Sequence, residues 1–194
     1  MDSKKPRDHG FSSVELTIVA GIMLITALIA TPSLKGILAA YRGSSAARNI
    51  AAQMHLARMR AGSNFTRTRL TLDAVSNTFQ LNVYNKDDTT CTVSTPSCWI
   101  LEGGINSLGT GVSFGYGTIS TPPPEPPGLT TVAQSTDVYF NSRGMPVTIG
   151  GSPVTDYAVY LNNDGRYYAV TISVTGLVST FRYDNSTIPP WVPL

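Results

Sequence analysis

Residues 7–34 read RDHGFSSVELTIVAGIMLITALIATPSL, and the fold turns on how that stretch is read. From Leu16 to Leu34 there is no charge for nineteen positions, about 28 Å at helical rise and close to the hydrocarbon thickness of a bilayer. The run is therefore predicted to span a membrane as a helix. An ordinary signal peptide would also begin with positive residues such as Lys4, Lys5 and Arg7. No A-x-A-like site with a polar mature sequence follows, however, and helical spacing continues past Pro32, so the run is read as retained. Glu15 sits just inside its start. A carboxylate at mid-bilayer costs about 2.5–3.5 kcal/mol, and less near an interface. If the chain were cut between Gly10 and Phe11, a new α-amino group would lie four residues before Glu15, which could neutralise it or the amine of an adjacent copy.

Beyond the run, Pro32 should bend rather than end the helix, since the pattern resumes at Leu34, Ile37, Leu38 and Tyr41. A further stripe, Ala47, Ile50, Met54, Ala57 and Ala61, follows at i, i+3, i+4 spacing, and Gly62-Ser63-Asn64 is a stop signal. The expected helix runs from Ser12 to Ala61, apolar all round in its first half and amphipathic in its second. Residues 63–194 read as strands: 68–73, 78–85, 98–102, 112–119, 137–141, 156–162, 167–174 and 177–183. Asn163-Asp164-Gly165 and Thr175-Gly176 suggest hairpin turns. PPPEPP, residues 122–127, is expected to be an exposed, stiff loop. The tail IPPWVPL is proline-broken, with Trp191 expected to pack on the domain.

The 194 residues suit one domain with an appended element. Their net charge of +2 hides an asymmetry. Between Leu16 and Leu72 lie Lys35, Arg42, Arg48, Arg58, Arg60, Arg67 and Arg69 without one acid, whereas from Asp73 onward nine acids face four bases. The basic stretch suits nucleic acid, anionic lipid headgroups, or acidic faces of neighbouring copies. Cys91 and Cys98 would close a small disulfide loop outside the cytoplasm, or remain two thiols. They have no histidine nearby for a metal site. His9 lies before the expected cut, leaving His55 on the helix. No catalytic group, metal or cofactor is expected.

Gly10-Phe11-Ser12-Ser13-Val14-Glu15-Leu16, after a short basic leader and before an apolar helix with Pro32, resembles the class III signal of type IV pilins and type II secretion pseudopilins. The resemblance implies that a prepilin peptidase cuts after Gly10 and methylates Phe11. Phe11, Glu15 and Pro32 would then serve assembly, Glu15 meeting a neighbour's N-terminus. It also implies a single-pass subunit of a bacterial inner membrane with its globular part periplasmic, joining other pilin or pseudopilin subunits in a filament. ARNIAAQMHLARMRAGSNFTRTRLTL (47–72) and DVYFNSRGMPV (137–147) resemble H-type minor pseudopilins and FimT-type minor pilins, over about two thirds of the chain together with NNDGRYYAVTISVTG (162–176). The implied fold is α+β, a long N-terminal helix packed on a β-sandwich-like antiparallel domain. The parts would be a leader, 1–10, an assembly helix, 11–34, an amphipathic helix, 35–62, and a β-rich domain, 63–194. The alternative is a DNA-binding minor pilin using Arg58, Arg60, Arg67 and Arg69. FimT-type DNA binders carry G-R-x-R near the C-terminus, where this chain has Gly176-Leu177-Val178-Ser179, without either arginine. A major structural pilin is the third reading.

Overall fold

The computed structural model describes residues 12–127, 129–154 and 157–194, with the side chains of residues 30–33 outside the description. One helix, α1 (Ser13–Ser63), opens the chain and ends two residues beyond the expected Ala61. The strands β1 (Thr68–Asp73), β2 (Thr78–Tyr84), β3 (Trp99–Ser107), β4 (Val112–Phe114) and β5 (Asp137–Phe140) follow. Then come β6 (Pro146–Val147), β7 (Tyr157–Asn163), β8 (Arg166–Ile172), β9 (Val178–Tyr183) and β10 (Trp191–Pro193). The chain divides after Leu38 into two units.

In the first unit every large apolar side chain described from Val14 to Leu38 is exposed, Leu28 by 75%. The hydroxyls of Thr17 and Thr26 turn back onto the helix, donating to the carbonyls of Ser13 at 2.7 Å and Ile22 at 3.0 Å. Such back-bonding satisfies a hydroxyl without water, so this face offers its surroundings little but hydrocarbon. No single helix among the described residues is long and apolar enough to cross a membrane; Ser13–Ile29 and Leu34–Ser63, bent by 42° between them, meet the requirement of length and composition only as a pair.

The second unit holds two five-stranded antiparallel sheets, in the orders β3-β2-β1-β5-β6 and β10-β9-β8-β7-β4. The helical stripe Ala47, Ile50, Met54, Ala57 and Ala61 is buried to within 1% of complete, as its spacing predicts. It shares one core with Leu70 of β1, Leu81 of β2 and Phe140 of β5 from the first sheet, and with Leu161 of β7 and Tyr168 and Val170 of β8 from the second. This is the expected α+β arrangement of a helix packed on paired sheets. Thr68 ties β1 to the helix, its Oγ1 donating to the Ala57 carbonyl at 2.9 Å. At the β7–β8 hairpin Asn163 pairs with Arg166, and Asp164 and Gly165 take positive φ of 52° and 74°. That is the two-residue turn their identities favour.

The second sheet is buried on both faces. Val159 and Leu161 join the helical core, while Ala158 and Tyr160, pointing the other way, form a second core with Ala169, Phe181 and Trp191. Residues 115–127 and 129–135 cover that outer face. Their Ile119, Leu129 and Val132 pack there, Trp191 Nε1 donates to the Thr121 carbonyl at 2.8 Å, and the Tyr160 amide donates to Gln134 Oε1 at 3.0 Å. The proline-rich stretch is therefore not simply exposed, because Pro123 and Pro126 are buried in it. Burial also pushes the Tyr160 phenol up to about 12. Trp191 packs as expected, and its tail forms β10, paired with β9.

Candidate functional site

Of the residues singled out at the N-terminus, Gly10 and Phe11 lie outside the described residues, and Pro32 falls within α1 with its side chain outside the description. Glu15 is in the first turn of α1. Its Oε2 accepts the Ser12 backbone N–H at 3.3 Å, while Ser12 Oγ accepts the Val14 N–H at 3.4 Å. This reciprocal arrangement is a variant of the capping box, in which the N-cap hydroxyl takes the second helical N–H rather than the third. The spacing Ser12-x-x-Glu15 signals it in the sequence and gives the carboxylate a second task, satisfying a free amide at the helix start.

The four arginines considered for nucleic acid do not form one free surface. Arg60 Nε lies 2.7 Å from Glu102 Oε1. Its partner stands at a bulge in β3, where pairing jumps from Gln80↔Ile105 to Leu81↔Glu102 and leaves Gly103 and Gly104 unpaired. Arg69 lies over Trp99, 4.7 Å from the ring centroid, with its Nε 3.9 Å from Asp137. Arg58 Nη1 donates to the Gly176 carbonyl at 3.0 Å. Gly144 and Gly176 both stand against the Arg58 side chain, where a Cβ on either would fall 2.7–3.1 Å from it. Arg58 thus joins the helix to a turn of each sheet. Such contacts span a hundred residues of sequence, and periodicity carries no sign of them.

Arg67 belongs to a different place. It lines a cleft of about 320 Å³ at the end of α1 with Phe65, Tyr84, Lys86 and Ser142. One donor of each cation is held by backbone: Arg67 Nη1 by the Ile149 carbonyl at 3.0 Å, Lys86 Nζ by the Asn64 carbonyl at 3.0 Å. Among the described residues neither is paired with a carboxylate. Phe65 has φ of 48°. Its N–H reaches the Gly62 carbonyl and the Thr66 N–H reaches that of Ala61, at 3.4 and 3.2 Å. Helix α1 therefore closes in a Schellman motif with Phe65 at the left-handed position, where glycine is usual. Among the described residues the other non-glycine positions at positive φ are Asn77 and Asp164, types that tolerate it. A phenylalanine there costs about 1–2 kcal/mol, and its ring is 77% exposed. The stop signal Gly62-Ser63-Asn64 marks the region but not this residue.

Cys91 and Cys98 form a disulfide, Cα atoms 5.5 Å apart, closing the expected loop. The loop lies on the outer face of the first sheet, where the Tyr84 hydroxyl donates to the Cys91 carbonyl at 2.8 Å and Trp99 Nε1 donates to Val93 at 3.0 Å. Loop-closure entropy makes the bridge worth about 2.5 kcal/mol. Replacing both cysteines by serine is expected to lower stability by about that amount, read as a lower denaturation midpoint with an unchanged core spectrum.

His55 is exposed on α1. Among the described residues no three His, Cys, Asp or Glu side chains are grouped so as to hold a metal ion. No protein-family model matches the chain, and no curated protein matches it. Among solved structures, the chain is similar to one of the minor pseudopilin EpsH from the type 2 secretion system of Vibrio cholerae, with 11% identity, a TM-score of 0.48 and coverage of 73% of this chain and 97% of that one. A second, crystal structure of EpsH from the same system matches with 12% identity and a TM-score of 0.46, over 72% of this chain and 92% of that one.

Proposed function

We propose that this chain is a minor pilin or pseudopilin subunit of a type II secretion pseudopilus or type IV pilus, processed between Gly10 and Phe11 and assembled through α1. The observation that carries the reading is the contrast along one helix. Up to Leu38 its large apolar side chains are exposed and its described threonine hydroxyls fold back, while from Ala46 to Ala61 the same helix supplies the core of the domain. Apolar surface of that extent is costly in water. A bilayer would cover it before assembly, and neighbouring helices would cover it afterwards. The motif around Gly10 and Glu15 supports the same reading, with the inner membrane, a prepilin peptidase and other subunits as partners. Processing is tested by producing the full chain with and without a prepilin peptidase and sequencing its N-terminus by mass spectrometry. The mature chain should begin at a methylated Phe11 only when the peptidase is present. An uncut start in its presence would overturn the reading.

A further inference from the structure

The cleft between the end of α1 and the turn after β5 has the chemistry of a docking site, and nothing in the filament reading uses it. Arg67 and Lys86 stand in its lining with no acid among the lining residues. Each is anchored through one donor to a backbone carbonyl, which fixes its position and leaves further N–H groups available. Asp87 and Asp88, next in sequence, form no ion pair with Lys86 among the described residues. Asp88 is turned onto Thr90, accepting its N–H at 2.9 Å and its hydroxyl at 2.6 Å. The exposed ring of Phe65 completes the lining, held in a backbone conformation that this residue type disfavours. Strain of that kind in a solvent-facing aromatic has no packing reward in the isolated domain, and such outliers cluster at recognition sites.

The geometry points to this cleft as the docking site for an acidic loop of a partner protein, one carboxylate meeting Arg67 and Lys86 while an adjacent apolar side chain rests on Phe65. Charge complementarity selects the occupant: two cationic side chains without a carboxylate partner and one ring line a cleft of about 320 Å³, which suits a carboxylate beside an apolar group. A nucleic-acid strand needs a longer track of cations, and Arg58, Arg60 and Arg69 are committed elsewhere in the domain. The site stands independently of the filament reading, because it uses none of the exposed residues of the first unit.

The test uses the full chain in detergent and a dye-labelled peptide, acetyl-Asp-Leu-Glu-amide, followed by fluorescence anisotropy. The peptide should bind, more weakly at high salt, and its Asn-Leu-Gln analogue should not. Lys86→Gln and Arg67→Gln should each weaken binding about tenfold or more. Phe65→Gly should weaken it about fivefold as apolar burial is lost while raising the melting temperature by about 2–4 °C, as the left-handed strain is released. A gain in stability with a loss of binding is a signature that a purely structural phenylalanine would not give. The inference is overturned if the acidic peptide does not bind, if the neutral analogue binds equally, if Lys86→Gln binds as the parent does, or if an oligothymidylate binds more tightly than the peptide through the same residues.

Discussion

On the function proposed above, Glu15→Val is expected to leave membrane insertion intact and to be nearly absent from filaments. Valine removes a charge from the apolar helix, so insertion loses nothing. In the proposed filament, assembly would lose a carboxylate opposite an α-amino group, and an amine left unpaired among packed helices costs about 3–5 kcal/mol, roughly two to four powers of ten in association. The capping box gives a competing account, because Glu15 also accepts the Ser12 N–H. A lost cap costs only about 1 kcal/mol, which is too little to empty a filament. Glu15→Gln separates the two, since glutamine serves a capping box but carries no charge. Membrane fractionation and immunoblotting of sheared filaments give both readouts. If the glutamine variant enters filaments at the parental level, capping is the role of Glu15 and the charge pairing fails.

The second large effect is at Gly43. The same substitution, glycine to alanine, should act in opposite directions at two positions of α1. At Gly62 an added Cβ meets nothing within 4 Å, so alanine should stabilise by about 0.5–1 kcal/mol through helix propensity and a less flexible unfolded chain. At Gly43 the Cβ would run into the ring of Tyr168. That ring is 1% exposed in the shared core, and its hydroxyl donates to the Ala40 carbonyl at 3.1 Å. Overpacking costs about 1–3 kcal/mol, and breaking the hydroxyl's bond in a buried site adds about 1–3. These outweigh the propensity gain of about 1 kcal/mol. Gly43→Ala should therefore destabilise by about 1–5 kcal/mol, and Gly43→Leu by about 3 kcal/mol or more, equivalent to about 6–12 °C in melting temperature. Thermal unfolding of the three variants decides it. Equal effects at Gly43 and Gly62 would show that the helix does not meet β8 as described.

What could be read from the sequence was whatever depends on near neighbours. The stripe from Ala47 to Ala61 follows from helical spacing, β1 and β2 from alternation, and the β7–β8 turn from Asn163-Asp164-Gly165. Strands β6 and β10 escaped because Pro146, Pro190 and Pro193 mask short pairings that tertiary neighbours impose. The arginines escaped for a related reason. Composition shows a basic stretch, whereas the partners of Arg58, Arg60 and Arg69 are brought near only by the fold. Phe65 was invisible because a left-handed position is inferred from glycine or asparagine, and here the chain uses neither. At the N-terminus the reverse holds: Ser12-x-x-Glu15 is a cap legible in the sequence, overshadowed there by the charge of Glu15 beside an apolar run.

Residues 115–135 have the composition of a tether, yet 115–127 and 129–135 roof a sheet whose other side is already taken by the helix. Sheets wrapped in this way have no weather side, so Tyr160, Ala169 and Trp191 depend on the roof to stay dry. Shortening that passage would not trim an ornament. It would turn an interior wall into an outer one and leave the rings of Tyr160, Phe181 and Trp191 standing in water.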